Sequence, residues 1–205
     1  MGFDMYKKVA ISLCCISLSG CAIDTGRDPN LNNLTGLEFK NLSGNEYIKN
    51  YSITSSATGV DLEKAKVCTL RNVTNRDVTL SDSSRSFVGA YTGNYYNLGN
   101  KSTSSGGNVV AASSDKSFVV NGSTEYIFDS GLINVKRVVR FTLDLSILEG
   151  KVKYTFSNVQ QAQTETGTIP NNGFNYIGTW KGASPYHALS SLRSVTSDID
   201  SCLDY

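Results

Sequence analysis

Apolar and polar residues alternate most regularly between Val135 and Ser157. Val135, Arg137, Val139, Phe141, Leu143, Leu145 and Ile147 share one side of a strand, and Lys136, Val138, Arg140, Thr142, Asp144, Ser146 and Leu148 share the other. A period of two predicts a strand with one buried and one wetted face, as in an antiparallel sheet. Glu149-Gly150 predicts a two-residue turn, with the glycine taking the positive φ. The return strand sets Val152, Tyr154 and Phe156 on one face and Lys151, Lys153, Thr155 and Ser157 on the other. A two-residue loop pairs Leu148 with Lys151. Counting back then pairs Ile147 with Val152, Leu145 with Tyr154 and Leu143 with Phe156. Turn and hydrophobic pattern demand the same register, and a one-residue slip would turn every apolar side chain into water.

Near the C-terminus the period changes. Leu189, Leu192, Val195, Ile199 and Cys202 recur at steps of three and four, with Arg193, Asp198 and Asp200 outside the stripe. That spacing predicts an amphipathic helix, opened by Ser184 as N-cap and Pro185 at the first helical position. Elsewhere the pattern is weaker. Residues 66–80 predict two short strands, because Val67, Thr69, Arg71 and Val73 alternate with Lys66, Cys68, Leu70 and Asn72. A short second helix fits Val60 to Lys66. Phe87–Tyr91 and Tyr95–Leu98 predict a hairpin around Gly93-Asn94. Lys101–Asn108 and Asn158–Asn175 are rich in Ser, Gly, Asn, Gln and Thr and predict loops. The fold class is therefore α+β: a mostly antiparallel β-sheet with a C-terminal amphipathic helix packed on one face.

Composition narrows the function classes. The chain of 205 residues carries 19 Lys+Arg, 18 Asp+Glu and one His. No basic stripe marks a nucleic-acid footprint, so nucleic acid is not an expected partner. One His leaves no multi-His metal centre and little scope for imidazole acid–base chemistry. No metal and no cofactor is expected. The 27 Ser, 17 Thr and 18 Asn, with 11 Tyr, suit a turn-rich β protein with a polar, weakly charged surface.

The N-terminus supplies an address. Lys7 and Lys8 precede an apolar run from Val9 to Leu18, too short to span a bilayer. The run ends in Leu18-Ser19-Gly20-Cys21, which resembles the lipobox of bacterial lipoproteins at all four positions. The resemblance implies cleavage before Cys21, a diacylglyceryl thioether on its sulfur and acylation of the new amino group. Several acyl chains anchor a protein stably, where one is marginal. The expected organisation is a signal peptide over 1–20, lipidated Cys21 with a flexible tether over 21–45, and one α+β domain over 46–205. By the same resemblance, Ala22 after the cysteine implies the outer membrane of a bacterial cell envelope. Cleavage removes Lys7, Lys8 and Asp4 and leaves acids and bases equal in number.

Of the five cysteines, Cys14 and Cys15 leave with the signal and Cys21 carries lipid. Cys68 and Cys202 remain, an even pair in an oxidising compartment, and one disulfide between them is expected. It would join the terminal helix to a strand of the sheet. Over Lys66 to Val159 the chain is similar to a bacterial lipoprotein domain of unknown function with a TBP-like fold. The similarity is carried by the strands Val138-Val139-Arg140-Phe141-Thr142-Leu143 and Lys151-Val152-Lys153-Tyr154-Thr155-Phe156, and it implies no catalytic residue.

Two groups of residues are candidates for binding. Lys136, Arg140, Lys151 and Lys153 fall on the polar face of the hairpin and form a candidate docking face for an acidic partner. Tyr95, Tyr96, Tyr176 and Trp180 stand near Asn- and Gln-rich loops, where aromatic rings stack on sugars or anchor protein contacts. Catalytic patterns are poor. His187 sits in the first helical turn without a Gly-x-Ser-x-Gly elbow in the chain. Asp144 and Glu149 lie on a wetted face and in a turn. Asp28-x-Asn30-x-Asn32 starts like a calcium loop but lacks the glycine and the closing glutamate. The expectation is a non-enzymatic envelope module, anchored to the membrane by lipid, that binds an envelope protein. A glycan- or peptidoglycan-binding module is the alternative, and a hydrolase the least supported.

Overall fold

The computed structural model describes residues 26–56, 59–131, 133–148 and 150–204, so the expected signal peptide and Cys21 lie outside the described residues. In chain order the elements are a 3-10 turn (Pro29–Asn33), β1 (Leu37–Leu42), β2 (Asn45–Ser56), α1 (Leu62–Asn72), β3 (Val78–Asp82), β4 (Phe87–Val88), β5 (Tyr95–Tyr96) and β6 (Asn100–Ser104). There follow β7 (Val110–Ser113), β8 (Ser117–Asp129), β9 (Asn134–Leu148), β10 (Lys151–Gln163), β11 (Asn175–Tyr176), a 3-10 turn (Lys181–Ala183) and α2 (Pro185–Leu203). Among the described residues the main sheet runs β1-β2-β10-β9-β8-β7, with β11 added beside β10. Every strand pair in it is antiparallel. The expected class, a mostly antiparallel sheet with α2 packed on it, is the observed one.

The β9–β10 hairpin has the expected register: Leu148 opposite Lys151, Ile147 opposite Val152, Leu145 opposite Tyr154 and Leu143 opposite Phe156. Gly150 closes it at φ 77°. Leu143, Leu145, Val152, Tyr154 and Phe156 are fully buried. Each fully buried aliphatic or aromatic side chain contributes about 1.5–3 kcal/mol relative to exposure. Both helices cover this face. In α2, Leu189, Leu192 and Ile199 are fully buried and Val195 nearly so, as the stripe predicts. Asp200, just outside the stripe, accepts hydrogen bonds from Tyr154 Oη (2.6 Å) and Ser55 Oγ (2.6 Å), which pins the helix to β10 and β2. Burial first, and then the bond to Asp200, pushes the Tyr154 phenol above its ordinary range.

Several segments depart from expectation. Residues 66–73 are not strand. Asp61 accepts the Lys64 N–H (2.7 Å) and starts α1. Ala65, Cys68 and Thr69 face inward at helical spacing, whereas Val67 and Leu70, which suggested alternation, are exposed. Cys68 therefore lies on a helix, and the Cys68–Cys202 disulfide (Cα–Cα 5.6 Å) staples α1 to α2 rather than a strand to α2. Ser184 precedes Pro185 as expected but sits in the left-handed region (φ 55°), and its side chain caps nothing.

The expected tether is folded from Arg27 onward, where Arg27 bridges to Trp180 and pairs with Glu46. Asp28 caps the first 3-10 turn, Leu31 is buried in the core, and β1 is an edge strand of the main sheet. One buried Leu and a two-sided edge strand leave little hydrophobic signal, so the sequence of this segment resembles a linker. Lys101–Asn108 is not all loop either: β6 pairs with β3 through backbone bonds that need no apolar side chain. Strand β10 runs on to Gln163, past the expected start of the loop at Asn158. The register shifts between Ser157 and Gln160, and Asn158 takes φ 50°. One extra residue in a bulge moves the inward face from even to odd positions, so the period of two breaks where the strand continues.

The second face of the sheet is wetted only in part. The β3–β6 ribbon and the loop after β10 cover one end of it, burying Val78, Leu80, Val138 and Ala162 against Phe174. Val138, expected on the wetted face, is thus interior.

Candidate functional site

The segment from Asn175 to Ala183 is threaded between two strands and the start of the domain. Asn175 and Tyr176 pair with Gln161 and Gln160 of β10. On its other side Ile48 N–H donates to Ile177 O (2.9 Å), Thr179 N–H to Glu46 O (3.1 Å) and Asp28 N–H to Thr179 O (2.8 Å). Ile177 is fully buried and acts as the plug of the segment. These bonds bring Tyr176 and Trp180 together with Tyr47, whose ring meets Trp180 edge-on at 5.7 Å and Tyr176 at 6.4 Å.

Tyr176 and Trp180 border a cleft of about 440 Å³, with Tyr47 packed behind them. Its lining includes Arg137, Gln161, Gln163, Pro170, Asn171, Asn172, Asn175, Tyr176, Gly178 and Trp180. Gly178 is required by close approach: a Cβ there would stand 2.2 Å from the Trp180 ring. Gln161 is fixed from both ends, accepting from Tyr126 Oη (2.7 Å) and donating to Ala183 O (2.7 Å). Arg137 donates to the same carbonyl (2.8 Å) and lies over the Phe128 ring. Asn171 bridges the far wall, taking its N–H to Asp82 Oδ2 (3.1 Å) and its amide to Gln163 O (2.9 Å). Asp82 also accepts from Ser84 (2.5 and 3.0 Å), and these hydrogen bonds hold its carboxyl at about 2, well below the ordinary carboxylate range. Outside the trio, Lys40 Nζ sits 3.1 Å from the Tyr176 ring centroid. Arg27 binds Glu46 with two hydrogen bonds (2.8 and 2.6 Å), which lower the Glu46 carboxyl pKa.

Of the four candidate aromatics, the structure unites only Tyr176 and Trp180. Tyr95 and Tyr96 form β5, part of a separate exposed ribbon with β4. Tyr47 was missed, since nothing local separates it from other strand tyrosines. Arg137 falls on the apolar face of the period-two pattern, which marks no role for it.

The four candidate docking cations do not form one patch. Lys153 lies opposite Ser146, and Arg140 is six residues further along β9. At about 3.3 Å per residue that is about 20 Å, with Lys136 about 13 Å beyond. Arg140 is also committed internally. It donates to Ser104 Oγ and Ser104 O (both 2.7 Å) and stacks on Phe174, tying β9 to β6. Lys136 pairs with Glu125 (2.8 Å) beside a larger polar cleft of about 520 Å³ under β3. Lys151 and Lys153 remain on the open end of the sheet.

His187 is exposed and stacks against Phe128 (5.7 Å) and Tyr126 (6.0 Å). Among the described residues no three His, Cys, Asp or Glu side chains are grouped so as to hold a metal ion, and no helix is long and apolar enough to cross a membrane. The cleft offers stacking surfaces, amides and a guanidinium, which is the chemistry of recognition of a polar, partly flat ligand.

No family model and no curated protein matches the chain. Among solved structures it is similar to the crystal structure of a DUF4468 family protein from Bacteroides ovatus, with a TM-score of 0.45 and 8% identity over 88% of this chain and 97% of that one.

Proposed function

We propose that this protein is a lipid-anchored binding module of the bacterial cell envelope, that it takes a glycan in the Tyr176–Trp180 cleft, and that it catalyses no reaction. The observation that carries the ligand class is the convergence of two aromatic rings with Gln and Asn side chains and Arg137 around one cleft of about 440 Å³. Sugars present apolar C–H faces to rings and hydroxyls to amides, so both parts of the lining have a counterpart. The anchor rests on Leu18-Ser19-Gly20-Cys21. A disulfide between Cys68 and Cys202 fits an extracytoplasmic address.

The test is a titration of the protein with soluble peptidoglycan fragments, read by Trp180 emission and by calorimetry. Saturable quenching is expected, weakened at least tenfold by Tyr176→Ser. Absence of heat and of an emission change at millimolar fragment would overturn the glycan reading. Weight would then pass to protein docking at the open sheet end, where Lys151→Glu with Lys153→Glu would abolish capture of the partner. For the anchor, Cys21→Ser should move the protein from the membrane to the soluble fraction. Unchanged membrane association would refute it.

A further inference from the structure

The β4–β5 ribbon is a second, separate feature. Its strands pair with each other and, among the described residues, with no other strand. Phe87 and Tyr96 stack on it at 5.1 Å. Its apolar side chains point to solvent: Phe87 is 51% exposed, Val88 64%, Tyr91 103%, Tyr95 62% and Leu98 51%. None of these belongs to either buried cluster, so they contribute little to the fold. A monomeric domain seldom leaves such a patch uncovered without use.

We infer that this ribbon is a membrane-interface contact that seats the domain on a phospholipid surface. Charge supports a lipid occupant. From Ser83 to Ser114 the sequence holds no Asp or Glu, although acids make up 18 of its 205 residues. The charged residues there are Arg85 and Lys101, both basic and both exposed, one before β4 and one after β5 in the chain. Tyr side chains with flanking cations suit the headgroup layer, where an apolar ring and a polar hydroxyl are both satisfied. A carboxylate would be repelled by anionic headgroups, and residues 83–114 carry none.

Position supports it too. The ribbon springs from Asp82, which holds Asn171 on one wall of the cleft. Trp180 on another wall is bridged to Arg27 of the segment that precedes β1. The ribbon base and this N-terminal segment thus flank one cleft. If Cys21 is lipidated, as the preceding proposal holds, seven residue steps separate it from Asp28, the first buried residue among those described. At about 3.3–3.6 Å per step that is a reach of about 25 Å at most, which keeps this end of the domain at the bilayer.

The experiment uses the protein from Ala22 onward, which contains every described residue and lacks Cys21, so it does not depend on the anchor. Co-sedimentation is measured with vesicles of phosphatidylcholine, alone and mixed with phosphatidylglycerol. Binding to both is expected, tighter to the anionic mixture, and at least tenfold weaker for Tyr91→Ser with Tyr95→Ser. In a Trp180→Phe background, Tyr91→Trp should shift its emission to the blue on adding vesicles. Unchanged melting curves check that the variants are folded. No sedimentation with either vesicle would overturn the inference, as would binding that the ribbon variant leaves intact. A dimer abolished by the same substitutions, without vesicle binding, would show that a second copy covers the ribbon and would also overturn it.

Discussion

Replacing Cys68 and Cys202 together by Ala removes the staple between α1 and α2. The bond spans a sequence separation of 134. For a loop of that length the chain-entropy model gives about 5 kcal/mol at 25 °C. That is as large as the entire net stability of many domains. In a domain of this size each kcal/mol moves the melting temperature by about 2–4 °C, so a fall of about 10–20 °C is expected. The effect acts on the unfolded chain, which the bond keeps compact. The denaturant dependence should therefore steepen as the midpoint falls, because the unlinked chain exposes more surface. The assay is urea unfolding of the oxidised parent, the reduced parent and the double variant, followed by far-ultraviolet circular dichroism. The reduced parent and the variant should agree. A loss below about 1 kcal/mol in both would refute the reasoning, either because the bond does not form or because the unlinked chain remains compact.

Asp200→Ala strips Tyr154 and Ser55 of their acceptor, and the fully buried Tyr154 hydroxyl is left unpaired; about 1–3 kcal/mol should be lost in urea unfolding, and an unchanged midpoint would mean the pin is idle. The Tyr154 phenol is raised above its ordinary value of 10.0, so the unfolded chain releases that proton first and stability should fall as pH rises beyond about 10; Tyr154→Phe should flatten that limb, and an identical alkaline slope would contradict it. Asp82 is depressed to about 2 from 3.8, so its contribution is present above about pH 4 and disappears as pH falls toward 2. Asp82→Asn should destabilise the protein at neutral pH and lose that difference in acid, which unfolding midpoints across the range will check.

The candidate site was legible only in part. Tyr176 and Trp180 stood out as aromatics near amide-rich sequence, and the structure brings them together. Their partner Tyr47 is more than a hundred positions away and carries no local mark. Tyr95 and Tyr96 looked equivalent in sequence but belong to another surface, the ribbon they form with β4. The basic residues of the hairpin alternate correctly, yet alternation assigns a face and not a position along it. Arg140 and Lys153 share a face and are separated by six residues of strand. What covers that face also lies beyond the pattern, and Arg140 is occupied by Ser104 and Phe174 from distant segments.

By itself, the sequence determined whatever depends on neighbours in the chain. The β9–β10 register follows from a two-residue turn and period-two burial. The α2 stripe follows from steps of three and four. Tertiary structure decided the rest. Whether residues 66–73 coil or extend depended on an inward Ala65-Cys68-Thr69 face that only α2 and the sheet make worth burying. Whether 28–45 is tether or edge strand depended on backbone bonds to β2 and to the Trp180 segment. Backbone hydrogen bonds are the same for every residue type, so a strand held mainly by them leaves no hydrophobic signature to read.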